Sequence, residues 1–230
     1  ASVFNRPAVF SKSLFGGAAR FAGIATKQTA IFCNVRFAGA ADFSGATFTQ
    51  YADFSGARFD GDAMFSRSSF FAVIRTSYDM DFPQYANFAN AAFAQGADFS
   101  EATFTAFVGF GRATFAGAVS FNGANFAGAY FAGAYFADAK FSQKADFRQT
   151  RFAYAEPSFW DSEGQQKSAR FSAQANPQDY LFEVRPESPH GFSCGEAQLL
   201  NRTFVLPVGA VLYDPDSWDE EKQEYTRVSE

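Results

Sequence analysis

Phenylalanine recurs through the first two thirds of the chain at intervals that alternate between five and six residues. In the stretch ADFSGATFTQYADFSGARFDGD, which covers residues 41–62, it stands at positions 43, 48, 54 and 59. The same register runs from Phe4 to Phe152. An internal repeat of this kind is interpreted before any single motif, because each repeat forms one structural unit and the stack of units decides the fold.

A small residue, in most units alanine, stands two positions before almost every one of these phenylalanines. The unit is therefore Ala-x-Phe-x-x, with one residue added in alternate units. An α-helix does not suit this spacing, because side chains five and six positions apart lie far apart around a helix and the recurring Gly and Ser lower helix stability. A left-handed hexapeptide β-helix does not suit it either, because that fold needs regular sixes with aliphatic inward residues.

The unit resembles the pentapeptide-repeat family, whose pattern is A-(D/N)-(L/F)-x-x. The matching units are Ala41-Asp42-Phe43, Ala52-Asp53-Phe54, Ala86-Asn87-Phe88, Ala97-Asp98-Phe99, Ala124-Asn125-Phe126 and Ala145-Asp146-Phe147. The resemblance implies an all-β fold, a right-handed quadrilateral β-helix or solenoid, in which each unit forms one side of a square coil. It also implies that the Phe and the small residue two positions earlier point inward while the other positions face solvent.

Stacked coils about 4.8 Å apart would place each phenylalanine above its equivalent in the next coil. Burial of each ring would contribute roughly 1.5–3 kcal/mol to the stability of the coil. One additional residue at alternate corners makes the coil longer than one of plain fives, and it predicts that Phe43 and Phe65 are equivalent positions of adjacent coils. Residues 121–141 are spaced in fives only, which predicts one tighter coil there.

The register slips at two places. At the first, Ile24 and Thr26 are expected to take the inward positions. At the second, within FAVIRTSYDMD, one additional residue predicts a bulge or small loop, with Ile74 and Thr76 inward.

The construction of the chain changes near Phe152. Of the 33 Phe, 28 lie in residues 1–152, whereas most of the Leu and Pro lie beyond. Residues 1–152 carry 13 Lys and Arg against 10 Asp and Glu, and the remainder carries 6 against 14. The overall net charge of −5 therefore combines a mildly basic body with an acidic end. We predict a repeat domain at residues 1–176 and a C-terminal appendage at residues 177–230.

The appendage reads as short strands followed by one helix. DYLFEV and RTFVLPVGAVLY predict the strands, and Ser217 with Glu220 predicts a capping box that opens the helix DSWDEEKQEYTRV. Solenoids need atypical polar ends, so we interpret the appendage as a cap, with a docking module as the alternative. Repeat units start at the first residues without such a cap, and end-to-end association of two copies is therefore a further expectation.

Residues that could carry chemistry are sparse. His190, the single histidine, lies four residues before Cys194 in a proline-rich loop without further ligands, and Cys33 is remote in sequence, so two free thiols are expected. The acidic residues within 214–221 lack the spacing of a calcium loop. Neither a phosphate-binding loop nor a nucleophile elbow is present in the sequence. We predict that the protein is not an enzyme and uses neither a cofactor nor a metal.

Aromatic residues at outward positions are the candidates for binding, because exposed Tyr, Trp and Phe on a rigid scaffold are common interface hot spots. The candidate protein-interaction residues are Tyr51, Phe71, Tyr85, Phe107, Tyr130, Tyr135 and Trp160. For the residues at the inserted corners, the alternative is that their rings fold back over the edge of the coil as packing.

Two functions follow from these observations. The first is a non-catalytic protein-interaction scaffold, a subunit of a larger assembly with one or more protein partners. The second comes from the resemblance, because some pentapeptide-repeat proteins mimic DNA and bind topoisomerases such as gyrase. DNA mimicry needs rows of carboxylates along the solenoid, whereas the repeat region here has a net charge of +3. A nucleic-acid partner is not predicted.

The sequence contains no run of about 18 apolar residues, so no membrane span is predicted. A cytoplasmic location is favoured over the others. The compartment is otherwise undetermined by the sequence, because the chain begins with Ala1 and a removed targeting segment would leave no trace.

Overall fold

The computed structural model describes residues 2–71, 86–127, 134–161 and 167–229. Within these residues, two-residue strands recur along the coil, and each pairs in parallel with the equivalent strand of the next coil. Four such parallel sheets enclose one core. The repeat region is therefore a quadrilateral β-helix, as the family resemblance implied. We number its faces one to four in the order in which the chain visits them.

The strands of each face follow in chain order. Face one contains Val3–Phe4, Ala25–Thr26, Thr47–Phe48, Ser69–Phe70, Thr103–Phe104, Asn125–Phe126 and Arg151–Phe152. Face two contains Ala8–Val9, Ala30–Ile31, Ala52–Asp53, Ala86–Asn87, Val108–Gly109 and Ala134–Tyr135. Face three contains Leu14–Phe15, Arg36–Phe37, Arg58–Phe59, Ala92–Phe93, Thr114–Phe115, Lys140–Phe141, Arg170–Ser172 and Val211–Tyr213. Face four contains Ala19–Arg20, Ala41–Asp42, Ala63–Met64, Ala97–Asp98, Val119–Ser120, Ala145–Asp146 and Tyr180–Leu181.

Columns of stacked phenylalanine rings fill the coil. On face four, the ring of Phe65 lies 5.0 Å from that of Phe43 and 4.9 Å from that of Phe99, nearly parallel to both. Columns from opposite faces meet edge to face, as Phe88 of face two and Phe99 of face four do at 5.3 Å and 86°. Both arrangements suit the aromatic quadrupole. Phe99 is fully buried and Ala97, two positions earlier, is almost so, which confirms the predicted inward register.

The alternation of five and six reflects two kinds of corner. After faces two and four, the residue two positions beyond the central Phe has a φ between +55° and +71°, and the next side starts after five residues. These residues are Lys12, Gly23, Asn34, Gly45, Gly56, Arg67, Asn90, Glu101, Arg112, Gly123, Asp138 and Gln149. After faces one and three the chain uses one more residue instead. Two shorter and two longer sides therefore complete one coil and bring Ala63 next to Ala41.

The Asp or Asn before many of the phenylalanines has a structural purpose. The side chains of Asp42, Asp53 and Asp98 each accept a hydrogen bond at 2.9 Å from the backbone N–H two residues further on. This local bond satisfies a backbone donor at the corner and favours the turn. The outward acidic residue of the repeat is thus explained by the corner itself.

At the first slip of the register, the two residues expected at inward positions point into the core. Ile24 and Thr26 are both buried. Thr26 takes the place of a phenylalanine in face one, where its strand pairs with those of Phe4 and Phe48.

The second slip marks a long insertion between faces one and two. Ala52 pairs with Ala30 on one side and with Ala86 on the other. Its separation in sequence from Ala86 exceeds its separation from Ala30 by twelve positions, so the coil passes over an insertion of that length and continues in the same register. The expected bulge, with Ile74 and Thr76 inward, falls in residues 72–85 and lies outside the described residues.

A second insertion lies at the same corner, two coils further on. Val108 pairs with Ala86 and with Ala134, and the second separation in sequence is larger by four positions. The ring of Phe136 stacks on that of Phe110 at 5.2 Å, so the next side after Phe126 is centred on Phe136. The prediction of a tighter coil was therefore wrong, because the regular fives lengthen the connection at this corner instead of shortening the coil.

The appendage continues two faces and packs against the last coils. Tyr180–Leu181 extends face four and Val211–Tyr213 extends face three. The ring of Phe182 stacks on that of Phe147 at 5.5 Å. An antiparallel hairpin of Cys194–Leu199 and Arg202–Pro207 adds buried side chains to the core.

The predicted C-terminal helix was wrong. Residues Pro215–Ser217 form a single 3-10 turn, and Trp218–Asp219 and Glu224–Tyr225 then pair as a short antiparallel hairpin. Asp214 caps the turn by accepting a hydrogen bond from the N–H of Asp216 at 3.1 Å. The hydroxyl of Ser217 donates to the carbonyl oxygen of Asp214 at 2.8 Å, so it does not cap a helix. The described residues contain no α-helix.

Candidate protein-interaction surface

The corner between faces one and two gathers outward aromatic residues from five successive coils. Tyr51 and Phe107 directly precede strands of face two, Phe71 directly follows a strand of face one, and Tyr135 occupies an outward position of face two. Tyr154 follows the last strand of face one. We call these five residues the aromatic corner. With about 4.8 Å between coils, the corner extends over roughly 20 Å along the axis.

Among the described residues, Phe71 is the most exposed of those predicted at this corner, with 40% of its surface accessible. Its backbone N–H donates to the carbonyl oxygen of Phe48 at 2.8 Å, so the coil fixes its position. A depression beside it, reached also by Gln50 and Ala106, has a volume of only about 10 Å³. This space is too small for an organic ligand, so the site suits contact with the surface of a partner rather than binding of a small molecule.

Phe107 and Tyr135 contact each other across two coils. Their ring centroids are 6.3 Å apart, and both rings are half-buried. A Cβ atom at Gly111 would lie 3.0 Å from Cε1 of Tyr135, so the missing side chain leaves room for that ring. Burial raises the pKa of the Tyr135 hydroxyl, and the negative charge of Asp161 adds to this effect. Tyr135 therefore stays neutral and can donate a hydrogen bond.

Tyr51 is partly packed and partly accessible. It is half-buried, and its hydroxyl accepts a hydrogen bond from the side-chain amide of Asn87 at 3.5 Å. The ring therefore packs in part along face two, and the rest of it stays accessible.

The remaining predicted residues lie elsewhere or outside the described part of the chain. Tyr85 and Tyr130 fall within residues 72–85 and 128–133, which are not described. Trp160 is 42% exposed, but it lies after face two and packs beside Gly209 of the appendage. Sequence reasoning missed Tyr154, which is 59% exposed. Its signal was its place two residues after Phe152, in the connection that follows a strand of face one, as Phe71 does.

Several carboxylates on the coil are paired with arginines. Asp60 accepts hydrogen bonds from Arg58 at 2.6 Å and Arg36 at 2.7 Å, and these two guanidinium groups lower the pKa of Asp60. Glu101 pairs with Arg67 at 3.0 Å. The negative charges of these two acids are therefore balanced at the surface.

Groups that could support catalysis remain scattered. Cys33 and Cys194 are both free thiols, as predicted. Among the described residues, no group of three or more His, Cys, Asp or Glu is arranged to hold a metal ion. The part of the chain that the structure describes also contains no helix long and apolar enough to cross a membrane.

Comparison with protein-family models identifies the repeat in two parts of the chain. The family described as Pentapeptide repeats (9 copies) matches residues 27–69, and the family described as Pentapeptide repeats (8 copies) matches residues 110–143 and 117–152. A search of curated protein sequences finds no match. The strands of the matched segments lie in the four faces around the phenylalanine columns, together with those of the coils between and beside them. The matches across residues 27–152 support a pentapeptide-repeat protein.

Proposed function

We propose that this protein is a non-catalytic scaffold, a subunit of a larger assembly, that binds another protein through the aromatic corner. One observation carries the proposal: five outward aromatic side chains lie along a single edge of the coil, although the stacked Phe columns already fill the core. Membership of a family whose proteins are generally structural supports a non-catalytic role.

The energetics of docking favour this surface. Phe71 and Tyr154 expose much of their rings, and burying each ring against a partner would contribute roughly 1.5–3 kcal/mol. The backbone of the coil is held by parallel hydrogen bonds on every face, so docking orders few additional residues. The tyrosine hydroxyls add polar contacts that orient the partner.

The proposal is tested by affinity capture from the cells in which the protein occurs, followed by binding measurements on the purified partner. The double variant Phe71→Ser/Tyr154→Ser removes the two most exposed rings of the corner. Leu14→Ser is the matched control, because Leu14 is 65% exposed and lies on face three. We expect at least a tenfold rise in Kd for the double variant and no change for the control. Equal affinity of the two variants would contradict the proposal.

A gyrase supercoiling assay separates the proposal from the DNA-mimic alternative. The arginine-paired carboxylates of the coil give no support to mimicry. We therefore expect the wild-type protein to leave gyrase activity unchanged. Potent inhibition of gyrase would overturn the scaffold proposal and establish the alternative.

A further inference from the structure

A second surface, distinct from the aromatic corner, lies where face three meets the C-terminal hairpin. Its groove has a volume of about 720 Å³ and opens to solvent. We call it the basic groove. It is lined by Arg112, Thr114, Asp138, Lys140, Lys167, Arg170, Trp218 and Tyr225.

The repeat sets the positions of the groove's polar floor. Thr114, Lys140 and Arg170 are register partners in three successive coils, so their outward side chains form a row about 4.8 Å apart. Arg112 and Asp138 occupy the same corner position in two of these coils, both with positive φ. The row is therefore held by the backbone of the coil and does not depend on a mobile loop.

Cations outnumber acids among the described lining residues. Asp138 pairs with Arg170 at 3.1 Å, Lys167 at 3.4 Å and Arg112 at 3.7 Å. One carboxylate thus faces three cations. Lys140 instead donates a hydrogen bond to the Tyr225 hydroxyl at 3.1 Å. Four cations and one carboxylate leave an excess of three positive charges in the described lining, which favours an anionic ligand.

The acids of the neighbouring hairpin face away from the groove. Trp218 and Tyr225 are directly opposite each other across the two strands, and so are Asp219 and Glu224. Because successive side chains in a strand point to opposite sides, the aromatic pair faces the basic row while the acidic pair faces the other way. Asp219 also pairs with Lys222 at 3.7 Å.

The groove combines two kinds of recognition. Arginine forks bind phosphate oxygens in pairs, and lysines bind them as point charges. Trp218 is 41% exposed, and its ring centroid lies 5.0 Å from that of Tyr225, which provides an aromatic wall for a planar ring. The volume lies within the range of small-molecule sites.

We infer that the basic groove binds a nucleoside polyphosphate, with the phosphates on Arg112, Lys140, Lys167 and Arg170 and the base against Trp218. This ligand matches the excess of positive charge, the aromatic wall and the size of the groove. The inference is independent of the aromatic corner and of its protein partner.

Isothermal titration calorimetry of the full chain with ATP, inorganic tripolyphosphate and adenosine tests the inference. We expect saturable binding of one ATP, weakened by added salt. Tripolyphosphate should bind at least about fivefold more weakly, because it lacks the base that would stack on Trp218. Adenosine should bind more weakly still, because it lacks the phosphates.

Variants locate the site. Lys140→Gln/Lys167→Gln should weaken ATP binding about tenfold or more, and Trp218→Ala should bring ATP to the affinity of tripolyphosphate. Arg58→Gln is the matched control, because Arg58 is an exposed cation of face three on a coil beyond the groove, and it should bind ATP like the wild type. Circular dichroism confirms that each variant is folded. Failure of ATP to saturate, equal affinities for ATP and tripolyphosphate, or equal affinities of the double variant and the control would overturn the inference.

Discussion

At the scale of single residues, the residue type at each position of the repeat unit depends on whether that position faces the core, the corner or solvent. The inward Phe and Ala could be predicted from the sequence, because their spacing and composition recur over many units. The role of the residue before Phe could not be predicted, because its hydrogen bond to the backbone two residues on, as at Asp42 and Ser44, requires the geometry of the corner.

The buried columns predict unequal costs for neighbouring substitutions. Phe99 is fully buried between Phe65 and Phe121, whose rings lie 4.9 and 5.1 Å away. Phe99→Ala should lower the free energy of unfolding by roughly 3–5 kcal/mol through the cavity that it leaves. Ser100→Ala, one position further on and partly exposed, should be close to neutral. Denaturant unfolding measures both, and equal effects would refute the inward register.

A substitution at Thr26 should raise the stability of the fold instead of lowering it. Its hydroxyl is buried without a hydrogen-bond partner among the described residues, at a position where equivalent coils have phenylalanine. Thr26→Val removes the unsatisfied group and keeps the shape, so we expect a gain of about 1–2 kcal/mol in the free energy of unfolding. A loss of stability in a thermal or denaturant scan would mean that the hydroxyl is satisfied.

At the scale of elements, the regular corners followed from the alternation of five and six, whereas the insertions and the appendage did not. The spacing of five from Phe126 to Phe136 is compatible with a shorter coil and with a longer connection between faces one and two. Only the pairing of Val108 with Ala134 decides between these two structures. Ser217 and Glu220 have the spacing of a capping box, but the pairing of Trp218 with Tyr225 competes with the helix and prevails.

The C-terminal hairpin should depend on pH through Asp214. This residue is buried and accepts hydrogen bonds from Arg227 at 2.8 Å and from the N–H of Asp216. Burial alone would raise the pKa of Asp214, but these bonds lower it below its ordinary value. A lowered folded-state pKa contributes stability above the unfolded pKa of about 3.9, and that stability is lost as the pH falls through the folded value.

Fluorescence of Trp218, recorded in a Trp160→Phe background, reports on this hairpin. We expect the wild-type hairpin to loosen only below about pH 4. Asp214→Asn should destabilise it at neutral pH by about 1–2 kcal/mol and remove the acid transition. An acid transition that persists unchanged in Asp214→Asn would assign it to another carboxyl group.

At the scale of the whole molecule, one coil continues from face to face past both insertions at the corner between faces one and two. The coil could be predicted from the sequence, because phenylalanine recurs in one register along the repeat region. The residues of the aromatic corner were predicted only as separate candidates. Tyr51 and Tyr135 are far apart in sequence, and their place on one edge of the coil becomes clear only when the two insertions are left out of the spacing between coils.

The register of this continuous coil is tested most directly by short-range cross-linking. Met64 and Asp98 are register partners on face four across the first insertion, whereas Asn87 lies on face two. In a background without the native cysteines, Met64→Cys/Asp98→Cys should be joined by a short bifunctional thiol reagent, because adjacent strands are about 4.8 Å apart. Met64→Cys/Asn87→Cys should not be joined. Efficient cross-linking of the second pair and not the first would mean that the inserted residues are part of the coil, and would contradict the account.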